Sequence, residues 1–462
     1  MTVKNGMTMR GKSLATLWLI LGGLLCACRS PQEIAFQEPP LPEVRLVPAP
    51  RPWRPWLQQG DRVVICGDSI TEQRMYSRLI EDYLVMCVPQ YNVEVRQLGW
   101  SGERASGFLH RMTNDCLRFQ PSLATICYGM NDHEYRPYEE RIGRAYQEHL
   151  SAVIRAFRAH GIRVIVGSPG CVEKVPHWIK SAAGTVQDLN ANLGRLRNVA
   201  LDVAQKEGTG FADVFLPMLR ASQVGRIRFG PAFKVAGEDG VHPDWAGHGI
   251  MAYAFLHAVG LDGHIGTFTL DLERNTLTVT DGHEVVAAVG RIFTIRSTRY
   301  PFASCLPREV IPNGPLPSFP ACEEAAGRET ASLRAAFALV PFHQELNRLT
   351  LVVRNGSADR YRVRWGQQSK VFPRAQLARG VNLAQEFEVT PFADAFARVD
   401  AAVAAKQAFE TRQVKHVLHG PEGRADWDDA VRRTEAERAR LMAVIREAFV
   451  PVTHTLSVLP EP

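Results

Sequence analysis

The sequence predicts an α/β protein: a parallel sheet covered by helices on both faces over residues 61–262, then a β-rich module over 263–395 and a helical hairpin over 396–450. Three observations carry this. From Asp61 to Val259, short β-branched runs alternate with amphipathic stretches, the pattern of parallel strands joined by crossover helices. After Leu261 the texture changes to short strands punctuated by turn residues. From Thr390 the period becomes helical again, with Phe392, Phe396, Val399 and Val403 on one stripe.

The N-terminal segment stands apart. Lys4, Arg10 and Lys12 precede about 14 apolar residues, Leu14–Ala27, and then Cys28. A basic region followed by an apolar run too short for a comfortable span reads as a secretory signal over 1–28. Leu25-Cys26-Ala27-Cys28 resembles a lipobox, in which Cys28 would be lipidated; cleavage without lipid and a retained anchor are the alternatives. The expectation is an exported protein, touching a membrane only through an N-terminal lipid. Losing the three basic residues leaves +3 of the formal +6 charge. That charge is too small to argue for nucleic acid as a partner, and no basic run appears, so none is expected. Residues 29–60, rich in proline, read as a tether without a fold of its own.

The strands expected next are Arg62–Cys66, Val93–Leu98, Leu123–Tyr128, Arg163–Val166 and Gly210–Val214. The helices are Glu72–Val88, Phe108–Phe119, Arg141–His160, Gln187–Glu207 and Pro243–Val259. In the second half, Thr267–Leu272, Thr276–Thr280 and Glu284–Ile295 read as strands, with a hairpin turn at Asp281-Gly282. Leu349–Arg354 and Tyr361–Trp365 read as a hairpin around Asn355-Gly356. Residues 298–325 form a Pro-rich loop, Gly420-Pro421-Glu422-Gly423 joins the two helices, and 451–462 are left as a tail. Of nine cysteines, Cys26 and Cys28 fall in the signal; Cys305 and Cys322 can form a disulfide in an exported protein. No cysteine–histidine spacing suits a metal.

Chemistry concentrates where predicted strands end. Ser69, in Val63-Val64-Ile65-Cys66-Gly67-Asp68-Ser69-Ile70-Thr71, sits on a sharp strand-to-helix turn. Unpaired N–H groups at a helix start can hold an oxyanion, so Ser69 suits a nucleophile; Ser-Ile-Thr-Glu also fits a helix cap. Gly102 follows the second strand and Asn131 the third, where a backbone N–H and a side-chain amide can donate to the same oxygen. In Asp239-Gly240-Val241-His242-Pro243-Asp244, an aspartate three residues before a histidine can accept its Nδ1–H and leave Nε2 free as a base. Each feature alone has an ordinary structural explanation; four in order at one sheet edge are far more specific.

These blocks, Gly67-Asp68-Ser69-Ile70, Gly102, Gly129-Met130-Asn131-Asp132 and Asp239 with His242, resemble the SGNH (GDSL) hydrolases over about residues 60–262. The resemblance implies a flavodoxin-like three-layer α/β/α domain. It implies Ser69 as nucleophile, His242 as base and Asp239 as its orienter, with Ser69 N–H, Gly102 N–H and Asn131 as the oxyanion hole and no metal or organic cofactor. The second block departs from the family's Asn-x-Gly, reading Gln97-Leu98-Gly99. Asp68, Trp100, His177 and Trp178 are candidates to line the substrate pocket. The expected activity is hydrolysis of small acyl esters, acetyl foremost, on carbohydrate. A lipase, lysophospholipase or thioesterase, and a non-catalytic surface protein, are the competing readings.

Overall fold

Alternation within one strand sets the layers. In β1 (Arg62–Gly67), Val63 and Ile65 enter one hydrophobic core while Val64 and Cys66 enter another, so helices must cover both faces. The computed structural model describes residues 49–50, 52, 54–179, 184–314, 317–322 and 332–462. Strand β1 pairs in parallel with β2 (Glu94–Gly99) and β3 (Leu123–Cys127). Strands β4 (Arg163–Gly167) and β5 (Gly210–Ala212) complete the order β2-β1-β3-β4-β5, the flavodoxin-like order. A short helix α1 (Ser69–Glu72) follows β1. Helices α2 (Tyr76–Met86) and α7 (Trp245–Val259) supply Tyr76, Leu79, Tyr83, Ile250 and Phe255 to the first core. Helices α3 (Ala105–Asp115) and α4 (Glu140–Ala159) supply Phe108, Met112, Tyr146, Leu150 and Phe157 to the second. Helix α5 (Val186–Glu207) starts on a capping box made by Thr185 and Asp188 and touches both cores.

Helix α6 (Phe215–Phe229), which contains Pro217 and Gly225, has no counterpart among the expected elements. Pro217 stands in the first turn, where its missing N–H removes no hydrogen bond. The signal and Cys28 lie outside the described residues. The end of the supposed tether is packed: Leu57 is buried, and the Trp56 N–H donates to Val259 O.

The second half forms two sheets with the inner faces joined in the first core. One holds β6 (His264–Asp271), β7 (Thr276–Val279), β10 (Arg348–Arg354) and β13 (Val381–Asn382), ordered β13-β10-β6-β7. The other holds β8 (His283–Val289), β9 (Ile292–Ser297), β11 (Arg360–Trp365), β12 (Gln368–Pro373) and β14 (Val452–Pro460), ordered β12-β11-β14-β9-β8. Four expectations are corrected. Segments Leu349–Arg354 and Tyr361–Trp365 are not a hairpin; β10 and β11 belong to different sheets. The Asp281-Gly282 turn likewise connects two sheets, β7 to β8, and the expected strand Glu284–Ile295 folds back as β8 and β9 at Gly290. The expected tail is β14, paired on both sides by β11 and β9. Cys305 and Cys322 form a disulfide, and the free cysteines Cys66, Cys87, Cys116, Cys127 and Cys171 are all buried.

A polar chain crosses the sandwich core. Its direction follows from its ends: Trp365 Nε1 can only donate, to His454 Nδ1 (3.2 Å), and the Ile265 carbonyl can only accept, from His283 Nε2 (3.1 Å). Between them, His454 Nε2 donates to Ser297 Oγ, which donates to His283 Nδ1. Both imidazoles are therefore neutral. Burial lowers His283 to about 4 and His454 to about 3.

Helices α8 (Ala393–Arg412) and α9 (Trp427–Ala448) dock on the β2 edge of the parallel sheet. They are joined through a π-helical turn, Gln413–Leu418, and a short helix, Pro421–Ala425. The Val95 carbonyl accepts from Lys406 and from Arg438, and the Gln97 N–H donates to Glu410. Lys406, fully buried, also pairs with Glu81 on α2 at 2.7 Å and with Glu410 at 3.1 Å. Arg78 on α2 forms a two-bond pair with Asp400. Among the described residues no helix is long and apolar enough to cross a membrane.

Replacing Lys406 by Met strands buried carboxylates and should cost about 3 kcal/mol or more in urea unfolding. Arg440→Ala, which removes an exposed pair with Glu437, should change stability by less than about 1 kcal/mol. The neutral histidines give an acid limb. The unfolded chain protonates them near pH 6.5, the folded chain only near 4 and 3, so the unfolded state binds more protons in between. Stability from these groups is full above pH 6.5 and lost as pH falls toward 4. The denaturation midpoint of His454→Gln should depend less on pH over that window than the parent's.

Candidate active site

The turn after β1 is built by a cap. The Asp68 carboxylate accepts the Ile70 N–H at 3.0 Å and is the N-cap of α1. The capping role weighed for Ser69 therefore belongs to Asp68, and the Ser69 hydroxyl is free to face elsewhere. It meets His242 Nε2 at 2.8 Å. His242 Nδ1 lies 2.8 Å from Asp239 Oδ2, while Asp239 Oδ1 accepts the N–H groups of Val241 and His242, both at 2.8 Å. A carboxylate accepts only, so Nδ1 carries the proton and Nε2 is left to accept from Ser69. Burial tends to raise the Asp239 pKa, but the hydrogen bonds from His242 and Val241 outweigh it and hold the carboxyl below its ordinary value.

The loop carrying His242 is fixed by a residue that sequence reasoning passed over. Glu173, beyond β4, accepts the N–H groups of Val235 and Ala236 at 2.7 and 2.9 Å, and its own N–H donates to Gly240 O. Arg226 and Ser222 bond its other oxygen. No local pattern marks it, since its side-chain partners lie 49 to 63 residues downstream.

Gly102 occupies the turn Trp100–Glu103, closed by Glu103 N–H donating to Trp100 O at 3.1 Å. Its φ of +74° is the sign a type II turn demands at the third position. In Gln97-Leu98-Gly99 the retained glycine has a cause: a Cβ at Gly99 would lie 2.3 Å from Glu72 N, so α1 packs directly on the end of β2. Asn131 Nδ2 donates to Glu103 O at 3.0 Å, leaving its second N–H for a ligand. Glu103 is clamped by Arg111 at 2.6 and 2.7 Å and by the Tyr128 hydroxyl at 2.8 Å.

The pocket candidates divide. Asp68 is 3 % exposed and lies beneath the turn, not on a pocket wall. Burial pushes its carboxyl up to about 7; the Ile70 N–H opposes this, and Asp132 and Glu103 add to the rise. Trp100 packs edge-on against His419 of the C-terminal helical region, with Arg111 and Lys415 over its ring, so its faces are engaged by the protein itself. Trp178 is exposed, 5.8 Å from the His242 ring and 6.0 Å from Tyr135, with His177 exposed beside it. Tyr135, not singled out from sequence, reaches Asn131 Oδ1 with its hydroxyl at 3.4 Å from a backbone with φ of +52°.

Two other histidines lie close by. His248 Nδ1 accepts the Tyr76 N–H and its Nε2 donates to Gln73; burial lowers it to about 3, with the nearby His242 adding to the effect. His133 is buried, bonded through Nδ1 to Met130 O, and burial lowers it to about 4. Neither contacts Ser69.

Comparison with known proteins bears on the family and the fold. Residues 65–250 match the GDSL-like Lipase/Acylhydrolase family. An acetylxylan esterase from Geobacillus stearothermophilus is 22 % identical over 222 residues, which are 44 % of this chain and 95 % of that protein. The structure of a gut microbial diltiazem-metabolizing enzyme, 20 % identical, covers 89 % of this chain and 99 % of its own with a TM-score of 0.66; the likeness of fold thus extends through the C-terminal half. A putative GDSL-like lipase from Parabacteroides merdae, 20 % identical, covers 44 % of this chain and 97 % of its own at a TM-score of 0.37. Residues 65–250, within the α/β domain, are thus a GDSL-like lipase/acylhydrolase domain, and the protein is an ester-hydrolysing serine hydrolase.

Proposed function

We propose that the protein removes small acyl groups, acetyl foremost, from acylated carbohydrate by a Ser69–His242–Asp239 acyl-enzyme mechanism. The observation that carries the reading is the unbroken pair of 2.8 Å contacts from Ser69 Oγ through His242 to Asp239. Ser69 Oγ attacks the ester carbonyl carbon as His242 Nε2 takes its proton, and Asp239 stabilises the imidazolium. The Ser69 and Gly102 N–H groups and the free Asn131 N–H receive the oxyanion. Collapse breaks the C–O bond, and Nε2–H protonates the departing alcohol. Water then attacks the acyl-serine, giving its proton to Nε2, and the acid leaves as Ser69 regains a proton. The acetyl and sugar preference draws support from the acetylxylan esterase relative and from the exposed Trp178 beside His242, a ring suited to stacking on a sugar.

A chromogenic acetate and a long-chain ester assayed side by side test the reading. Acetate should be cleaved much faster; the reverse preference would favour a lipase. Ser69→Ala and His242→Ala should each lower kcat by about 10⁴-fold or more with thermal unfolding little changed. Asp239→Asn should keep a residual rate. His248→Asn should lose stability but retain the catalytic steps; a loss matching that of His242→Ala would make His248 the base.

The same reading includes export with a lipid on Cys28, supported by the basic-then-apolar N-terminus. Cys28→Ser should shift the protein from the membrane fraction to the soluble exported fraction, and unchanged fractionation would count against lipidation.

A further inference from the structure

The turn bearing Gly102 is held by a part of the chain outside the hydrolase domain. Glu72, at the end of the short helix that Ser69 begins, uses its two carboxylate oxygens for different partners. Oε2 accepts both the N–H and the hydroxyl of Ser101, at 2.5 and 2.7 Å. Oε1 accepts from Lys415 Nζ at 2.7 Å. Lys415 comes from the π-helical turn between the two C-terminal helices, and its ammonium also lies 5.3 Å from the centre of the Trp100 ring. His419, just after that turn, packs on Trp100 and is itself bonded to the buried Asp115 at 2.8 Å. Residues 100 and 101 are thus gripped on the side of the C-terminal helices, and residue 103 by Arg111 and Tyr128. Gly102 lies between the two grips.

We infer that Lys415 is a positioning residue for the hydrolase site, acting through Glu72 to hold the Ser101–Gly102 turn where its N–H meets the developing oxyanion. The inference rests on the reading of Gly102 as an oxyanion donor and adds to it a function for the C-terminal helices. A donor contributes to catalysis only if it is already aimed where charge will appear. An exposed glycine at positive φ, with open space where a Cβ would stand, has no packing of its own to aim it. The Glu72–Ser101 bonds supply that restraint, and Lys415 keeps Glu72 ionised and oriented. Burial works to raise the Glu72 carboxyl, yet the bonds from Lys415 and Ser101 hold it below its ordinary value. Arg74, the other cation nearby, bonds the Glu72 main-chain carbonyl and leaves the carboxylate to Lys415. Lys415, in the π-helical turn, and His419, just after it, both lie against Trp100; π-helical turns recur at functional sites.

The test uses the full chain and a chromogenic acetate ester. Lys415→Met should lower kcat by about ten- to a hundredfold, less than outright loss of an oxyanion donor, with KM changed less than about twofold. Lys415→Arg, which can still bond Glu72, should recover most of the rate. A loss that appears in KM, that tracks a fall in melting temperature, or that Lys415→Arg does not relieve would overturn the inference, as would a Lys415→Met enzyme within threefold of the parent. If Lys415→Met does not fold, Glu72→Gln keeps the side-chain volume and carries the same comparison. A parent active toward esters and silenced by Ser69→Ala, yet indifferent to Lys415→Met, refutes this inference alone. A parent inert toward esters refutes it together with the function proposed above.

Discussion

The open edge of β2 is the constraint on which the rest of the structure depends. A parallel sheet ending in an unpaired strand presents carbonyl and N–H groups that must be satisfied or left to recruit another chain. Here helices α8 and α9 answer them with side chains: Lys406 and Arg438 on the Val95 carbonyl and Glu410 on the Gln97 N–H. Burying such charges is tolerable only because they also pair with one another and with Glu81. A hydrophobic face could have covered the edge, but it would have left those backbone groups without partners. The same docking brings the π-helical turn against the loop after β2. Closing the sheet edge and bracing the active-site turn are consequences of one contact.

The site itself is a study in which groups stay uncharged or fixed. Asp239 is held ionised by three hydrogen-bond donors, which suits a group that must stabilise an imidazolium. His248, only six residues beyond His242, is buried and neutral with both nitrogens committed. Two histidines of one sequence neighbourhood thus differ in their partners: His242 joins Asp239 to Ser69, whereas His248 joins the Tyr76 N–H to Gln73. Asp68 and Asp132 are held beneath the turn with raised pKa values, about 7 and 6, each mainly from burial. Asp68 caps the Ser69 helix, and Asp132 ties the Gly129 and Ala105 N–H groups together across the mouth of the sheet.

What the sequence by itself determined is whatever is encoded locally. The β-branched runs and amphipathic periods placed the five parallel strands and most of their helices, because face alternation and helical period are properties of neighbouring residues. The strand-turn-helix around Ser69, Gly102 after β2, Asn131 after β3 and the Asp239–His242 spacing were legible for the same reason: each motif is a few residues long and its chemistry is carried by residue type. The Cys305–Cys322 bridge, with a separation of 17, stood open as one of two outcomes.

The tertiary structure alone decided what depends on partners far along the chain. A period of two says which face a residue takes but not which strand it pairs with. Hence β10 and β11, adjacent in sequence around Asn355-Gly356, went to different sheets, and the last residues became the strand between β9 and β11. Trp100 was chemically a candidate for stacking on sugar until His419, Lys415 and Arg111 were found around it. Glu173 and Glu72 are ordinary carboxylates in sequence. They gain roles only because folding sets one under the histidine loop and the other between Ser101 and a lysine 343 residues away.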